Sequence, residues 1–304
     1  MVKINRFSFP AMGSECSLHL CDAGPAAAQA AEAEILRIEC RYSRYRPDSI
    51  LSQINRVAAV GGSLEVDEET AALIDYAFAC YRKSGGLFDI TTGLLRRAWN
   101  FSSGRTPVPE EIERLMPLLG LDKIRWRRPV LSFPVPGVEL DLGGIGKEYA
   151  ADRAAAACAE AGVAHGLVEL GGDICAIGPQ PDGAPWLISI RNPQDTGESL
   201  AVVSLAAGGL ATSGDYERCI TVDGWRYGHI LDPRTGWPVN GLAAVSVMAE
   251  SCLVAGSIST IGMLKGAVGP EWLAGLGVAH LWTDGHGVTG GSGMLLSQEV
   301  CSAA

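Results

Sequence analysis

Apolar and polar positions change period several times along this chain, and the changes mark its elements. Residues 7–20 alternate as two short strands on either side of Ala11-Met12-Gly13-Ser14, a run able to reverse the backbone. Gly24-Pro25 opens an alanine-rich stretch with helical spacing that runs toward Cys40 and stops near Tyr42. Residues 43–55 read as a loop followed by a short helix, and residues 68–84 as a longer helix closed by Gly85-Gly86. A charged helix is expected over residues 109–119, a strand over 138–142, then a glycine-rich turn and another helix. Strand-like patterns return at residues 166–177, 186–191, 199–206, 210–212 and 218–222. The last third predicts a strand over 243–249, a helix over 251–265, and strands near His280 and Val288.

Strands arriving in groups, with a few long helices between them, favour an α+β fold over a doubly wound parallel sheet. No linker-like run or repeat of short fixed period divides the chain, so a single domain over residues 1–304 is expected. At 304 residues and 47% apolar, the chain can bury a sizeable core. The formal charge of −10 argues against a sequence-independent grip on nucleic acid, which needs lysine and arginine along the phosphates. Nine scattered cysteines (16, 21, 40, 80, 158, 175, 219, 252, 301), with no C-x-x-C pair, suit a reducing compartment better than a disulfide framework. Residues 1–10 lack an uninterrupted apolar signal core, and no later segment has the length and apolarity of a membrane span. A cytoplasmic protein without a membrane anchor is the expectation.

Candidate chemistry begins at Tyr227-Gly-His229-Ile-Leu-Asp232-Pro-Arg234-Thr235-Gly236, which packs an imidazole, a carboxylate, a guanidinium and a hydroxyl into one turn-forming run. Pro233 fixes its own φ and biases Asp232 toward extended backbone, while Gly236 permits a reversal; His229 and Asp232 should leave a strand end together. The set suits an anionic, phosphate-bearing ligand. It equally makes a plain hairpin turn, with Asp232 capping its own backbone and Arg234 solvated.

Asp141-Leu-Gly-Gly-Ile-Gly146-Lys147 places glycines between a strand and a helix, where backbone N–H groups and the positive helix end can approach an anion and Lys147 adds counter-charge. A glycine cap beside a solvated lysine is the alternative, and the spacing is neither the Walker nor the dinucleotide fingerprint. Thr212-Ser213-Gly214-Asp215-Tyr216 and Leu170-Gly171-Gly172-Asp173 read as turns unless they converge on the same cleft. His19, His165, His280 and His286 are solitary in the sequence, whereas His229 has Asp232 and Arg234 nearby. An imidazole titrating near neutrality suits removal of a proton from a hydroxyl nucleophile. No Gly-x-Ser-x-Gly elbow accompanies it.

Taken in order, these motifs resemble the FAD:protein FMN transferase (ApbE) family nearly end to end. The resemblance is carried by Ala11-Met12-Gly13-Ser14, Ser43-Arg-Tyr45 with Ser49 and Asn55, Gly86-Leu87-Phe88-Asp89-Ile-Thr91, and Asp141 through Lys147. Leu170 to Asp173, Ala211-Thr-Ser-Gly-Asp-Tyr216 and His229-Ile-Leu-Asp-Pro-Arg-Thr-Gly236 complete it. It implies an α+β, ApbE-like fold of mixed or antiparallel sheets with helices, in duplicated T-fold-like halves forming one compact unit. It also implies an enzyme that binds FAD, uses Mg²⁺ on the pyrophosphate, moves FMN to a Ser or Thr hydroxyl of a client flavoprotein, and releases AMP. Met12, Tyr45, Leu87, Phe88, Asp89, Asp141, Lys147 and Ile230 would then hold FAD, with Asp89 and Asp141 on the nucleoside or flavin edge. His229 would help to activate the acceptor hydroxyl.

The metal ligands implied by the resemblance are the Gly144 carbonyl, with an aspartate and a threonine from an Ala-Asp-x-x-x-Thr helix start. This chain reads Ala255-Gly256-Ser-Ile-Ser-Thr260, so Thr260 is kept and Gly256 replaces the carboxylate. Magnesium prefers hard anionic oxygen, and the loss should weaken its binding. Another carboxylate such as Glu250 or Asp215 substitutes, or substrate phosphates and water hold the metal, or the protein has kept FAD and lost transfer. Glu148, where the family usually carries glycine, is a second change beside the phosphate turn, able either to assist the metal or to repel the diphosphate. Many family members are periplasmic lipoproteins, so a client here would be cytoplasmic or cytoplasm-facing. The expected activity is FMN transfer; the alternatives are a non-catalytic FAD-binding protein and an FAD pyrophosphate hydrolase.

Overall fold

The computed structural model describes residues 3–195, 197–216 and 218–294. The chain forms two compact units, one from Met1–Glu39, Ile145–Gly214 and Gly241–Ala304 as far as these are described, the other from Cys40–Gly144 and Asp215–Asn240.

The first unit is built on an eight-stranded sheet. Its spatial order is Ile4–Ala11, Ser14–Cys21, Gly166–Leu170, Asp173–Gly178, Gly208–Gly214, Leu242–Ala249, Ala279–Asp284 and Thr289–Ser292. Every neighbouring pair runs antiparallel. Helices Gly146–Glu160 and Cys252–Leu264 pack against it. Ala243, Ala244, Val245, Ser246 and Val247 are all buried, so the strand Leu242–Ala249 is covered on both faces and reads as a continuous apolar run. A separate hairpin, Trp186–Arg191 with Ser199–Leu205, closes a core of Trp186, Ile190, Val203, Leu205, Leu210 and Leu281.

In the second unit, helices Ile50–Val60 and Glu68–Ser84 start and stop on local chemistry. Ser49 and Asp67 accept the N–H groups of Ser52 and Thr70, and Gly61 and Gly85 end the helices in left-handed conformation. Beside them lie a small sheet in the order Ser63–Glu65, Val130–Ser132, Arg125–Arg127 and a hairpin, Cys219–Val222 with Trp225–Gly228. Trp99 is the hub of this unit's aromatic core: it stacks on Phe101 at 5.4 Å, meets Trp237 edge-on at 5.3 Å and lies 5.9 Å from Tyr227. Its indole N–H donates to the Gly236 carbonyl at 2.8 Å, tying the 229–236 turn to the core.

The α+β expectation with antiparallel sheets holds, and several elements differ from the pattern-based expectation. Residues 138–142 form no strand, because a side chain takes the strand partner's place: the Asn55 amide donates to Leu140 O at 2.9 Å and accepts from Leu140 N at 2.8 Å. The charged helix stops at Pro109–Glu113 and resumes as a tighter turn at Met116–Leu118, since Pro117 has no N–H to continue the ladder. The strand Trp225–Gly228 and the three-stranded sheet went unpredicted, being too short for periodicity to register. The eight described cysteines are all free, and Cys301 lies outside the described residues. Among the described residues, no helix is long and apolar enough to cross a membrane.

Trp99→Ala should cost about 3–5 kcal/mol of stability in denaturant unfolding, the range for deleting a buried tryptophan. A loss below about 1 kcal/mol would show that the ring cluster does not anchor this unit.

Candidate functional site

Two turns of the first unit converge on one helix start. Met12 and Gly13 both have positive φ, +52° and +72°, as a two-residue type I′ hairpin loop between paired Ala11 and Ser14 requires. A methionine held there costs about 1 kcal/mol, and its side chain extends to the next loop. Met12 Cε stands 3.8 Å from where a Cβ on Gly146 would be. Gly171, in the turn between Gly166–Leu170 and Asp173–Gly178, is equally close to this group: a Cβ there would lie 2.9 Å from Ser14 Oγ and 3.6 Å from Lys147 Nζ. Lys147 Nζ pairs with Asp173 Oδ2 at 3.0 Å. Helix Gly146–Glu160 has no side-chain cap at its N-terminus, so its positive end is left to other partners. The Leu170–Asp173 motif is therefore a hairpin turn that also meets the lysine.

The same first turn of the helix carries Glu148, which is buried. A Cβ on Gly256 would stand 2.5 Å from Glu148 Cγ and 2.7 Å from Oε1, so the glutamate fills the space that a side chain at 256 would occupy. Its Oε2 is buried with no hydrogen-bond partner among the described residues. Burial pushes this carboxyl up to about 8; the Asp173 charge adds to the rise, and Lys147 opposes it. One turn on, Asp152 accepts the N–H groups of Cys252 at 2.8 Å and Leu253 at 2.9 Å, clamping the start of helix Cys252–Leu264 against helix Gly146–Glu160. Ser213 lies in the strand Gly208–Gly214, and its hydroxyl is 2.8 Å from that of Ser259 and 2.9 Å from that of Thr260.

In the second unit, Asp141 is the anchor of the glycine-rich turn. It accepts Gly143 N–H at 2.8 Å and forms an ion pair with Arg44. Gly93 is pressed against it: a Cβ there would lie 2.6 Å from Oδ2, a place only glycine fits. Phe88 is buried, and its ring edge would sit 3.4 Å from a Cβ on Gly144; Leu87 is buried beside it in sequence. Tyr45 is 78% exposed, with the Arg44 guanidinium 4.9 Å from its ring centroid. Asp89 turns inward. Oδ1 accepts Thr91 N at 2.8 Å and Thr91 Oγ1 at 2.7 Å, and Oδ2 accepts Leu121 N at 3.1 Å. Burial outweighs these bonds and raises its pKa above the usual carboxylate value.

His229 follows the strand Trp225–Gly228 and is exposed, with half-buried Ile230 after it. The remainder of the motif is a closed turn. Leu231 bridges to Pro238, and Asp232 O accepts Thr235 N–H at 3.2 Å and Gly236 N–H at 2.8 Å. Asp232 also accepts the Arg234 backbone N–H at 2.8 Å and pairs with its guanidinium at 2.7 Å. Burial opposes ionisation of Asp232, but these bonds prevail and hold its pKa below the usual value. Asp215 packs beneath Gly228 and pairs with Arg226: Nη2 is 2.9 Å from Oδ1, and the hydrogen-bond geometry is to Oδ2 at 3.2 Å. Burial raises the Asp215 pKa, with Arg226 opposing. Of the carboxylates considered for position 256, Asp215 is engaged with Arg226 in the second unit and Glu250 is exposed beyond the strand Leu242–Ala249; Glu148 is the one that reaches it.

Sequence reasoning missed Arg44, Asp152 and the Glu148–Gly256 contact. Each is one half of a pair whose other member lies far away in the chain, so no local pattern announces it. Glu148 and Gly256 each stood out separately as departures from the family's residues.

Comparison with known proteins places the chain among enzymes of the transferase class. The ApbE family model matches residues 12–282, and the chain belongs to the ApbE family. It is 32% identical over 240 residues to an FAD:protein FMN transferase of Haemophilus influenzae, covering 75% of this chain and 69% of that one. To the Vibrio cholerae enzyme of the same name it is 31% identical over 270 residues, covering 85% and 80%. Among solved structures, the ApbE protein of Thermotoga maritima aligns with a TM-score of 0.85 at 32% identity, covering 95% of this chain and 97% of that one. The apo flavinyl transferase ApbE of Pseudomonas stutzeri aligns with a TM-score of 0.84 at 30% identity, covering 96% and 95%.

Asp89→Asn turns an amide N–H₂ toward a backbone or hydroxyl donor and should cost about 1–3 kcal/mol in unfolding without flavin. Unchanged stability combined with lost FAD affinity would assign the carboxylate to the ligand instead.

Proposed function

We propose that residues 1–304 act as one transferase domain that moves FMN from FAD to a Ser or Thr hydroxyl of a client flavoprotein. The observation that carries this reading is the convergence of the Met12-Gly13 and Gly171-Gly172 turns with Lys147 at an uncapped helix start. Such a cradle suits a dinucleotide's diphosphate, because backbone N–H groups and the helix end meet its charge. The names of the relatives supply the chemistry. Met12 and Lys147 would contact the diphosphate side of FAD; Tyr45, Leu87, Phe88, Asp141 and Ile230 would line the remainder. Asp89, whose carboxylate is consumed by Thr91 and Leu121, would contribute through its backbone and by shaping that turn.

In the proposed reaction the acceptor oxygen attacks the FMN phosphorus, its proton passes to His229, and the bond to AMP breaks, leaving a phosphoester-linked flavin. The exposure of His229 suits a base that must meet another protein's hydroxyl. Asp232 and Arg234 hold each other and shape the turn, and so need not bind the anion themselves.

The chain's donors fit a divalent cation. They include a buried carboxylate oxygen without a partner at Glu148 and a group of hydroxyls at Ser213, Ser259 and Thr260, with the Gly144 carbonyl as the further ligand implied by the family resemblance. Among the described residues no three His, Cys, Asp or Glu side chains gather as a metal cluster, so hydroxyls, carbonyls and substrate oxygens would complete the shell. When bound, Mg²⁺ would neutralise charge building at the phosphorus. Free thiols at all eight described cysteines support a reducing, cytoplasmic setting.

A non-catalytic FAD-binding protein is the second reading, favoured by Gly256. With FAD, Mg²⁺ and a threonine-bearing client, mass spectrometry should find covalent FMN on the client. His229→Ala should reduce the rate by about 10²–10⁴-fold while FAD binding persists. FAD bound without transfer under any metal would favour the second reading, and AMP plus free FMN without a client would identify a hydrolase.

A further inference from the structure

We propose that Glu148 is a cation ligand whose carboxylate, carried on helix Gly146–Glu160, serves position 256 of the neighbouring helix. The inference rests on the transferase reading only for what the cation accompanies.

Three features of the first unit support it. The first is steric. Gly256 has no side chain, and the Glu148 carboxylate lies in that space, with Oε1 2.7 Å from where Cβ would stand. Glutamate is long enough to reach across from the facing helix, and any residue larger than glycine at 256 would expel it. The second is the charge pattern. Three carboxylates lie on or facing this helix start, and two are compensated: Asp152 by the N–H groups of Cys252 and Leu253, Asp173 by Lys147. Glu148 has only its own backbone N–H and the attraction of the adjacent Lys147, and its Oε2 is buried with no partner among the described residues. A buried carboxylate oxygen in that condition is costly unless it is protonated or meets a cation. The third is what lies beside it. Thr260 is one helical turn beyond Gly256 and so shares its face, and its hydroxyl is 2.9 Å from that of Ser213, which is also 2.8 Å from that of Ser259. A carboxylate in the space at position 256, one helical turn from a group of hydroxyls, is the hard-oxygen chemistry of Mg²⁺ or Mn²⁺.

The clamp at Asp152 makes the exchange possible. By fixing the start of helix Cys252–Leu264 to the helix that bears Glu148, it sets position 256 opposite position 148. A carboxylate can then come from either helix without moving the backbone.

The test titrates Mn²⁺ into the full-length, FAD-saturated protein and reads free Mn²⁺ by electron paramagnetic resonance, with circular dichroism confirming folding. Glu148→Gln should weaken Mn²⁺ binding about tenfold or more, and the double variant Glu148→Gly/Gly256→Asp should regain it. Glu148→Gln titrating like the wild type, or a wild type that takes up no Mn²⁺, overturns the proposal. Should Glu148→Gln not fold, a folded double variant that binds no Mn²⁺ overturns it equally. Transfer is scored separately: Mn²⁺ held through Glu148 by a chain that moves no FMN rejects the transferase reading alone, and transfer by Glu148→Gln with unchanged metal affinity rejects this one alone.

Discussion

The proposed site in the first unit depends on the contact between Glu148 and Gly256. A carboxylate is buried where two helices meet, in a space that exists because position 256 has no side chain. Removing an ionised carboxyl from water costs several kcal/mol unless something compensates it, so its neighbours must be arranged around it. Asp152 is drawn to helix N–H groups and Asp173 to Lys147, which keeps two negative charges occupied and leaves the Glu148 Oε2 buried without a hydrogen bond. The same arrangement holds the helix start against the Met12-Gly13 and Gly171-Gly172 turns.

The second unit solves a different problem, that of presenting a histidine rigidly while leaving it exposed. Trp99 does this at a distance, by holding Gly236 O and packing on Trp237 and Phe101. The Asp232–Arg234 pair closes the turn from inside. A charged run that looks like an anion site is thus largely satisfied by itself, and the proposed reaction assigns the base's role to the exposed His229.

How much of this was legible in the sequence follows from range. The end of helix Glu68–Ser84 was readable because Gly85 acts within a turn of itself, whereas helix Ile50–Val60 runs beyond the expected residue 55 to its cap at Gly61. The hairpin at Met12-Gly13 was readable because its strands alternate around it. The segment 138–142 misled because its apolar alternation is real, but its partner is the Asn55 side chain and not a strand. Lys147 was recognised as a counter-charge, while its pairing with Asp173 depends on a hairpin that folds back from elsewhere in the chain. Gly256 left the substituting carboxylate open between Glu250 and Asp215 in the sequence, because Glu148 meets it from another helix and nothing local to either residue connects them.

The most direct measurement is anomalous scattering from crystals grown with Mn²⁺ and FAD. A manganese peak within about 2–2.5 Å of a Glu148 carboxylate oxygen, on the face that bears Thr260, is the expected result. Manganese bound with Glu148 still sealed against Gly256 and touching no metal would contradict it.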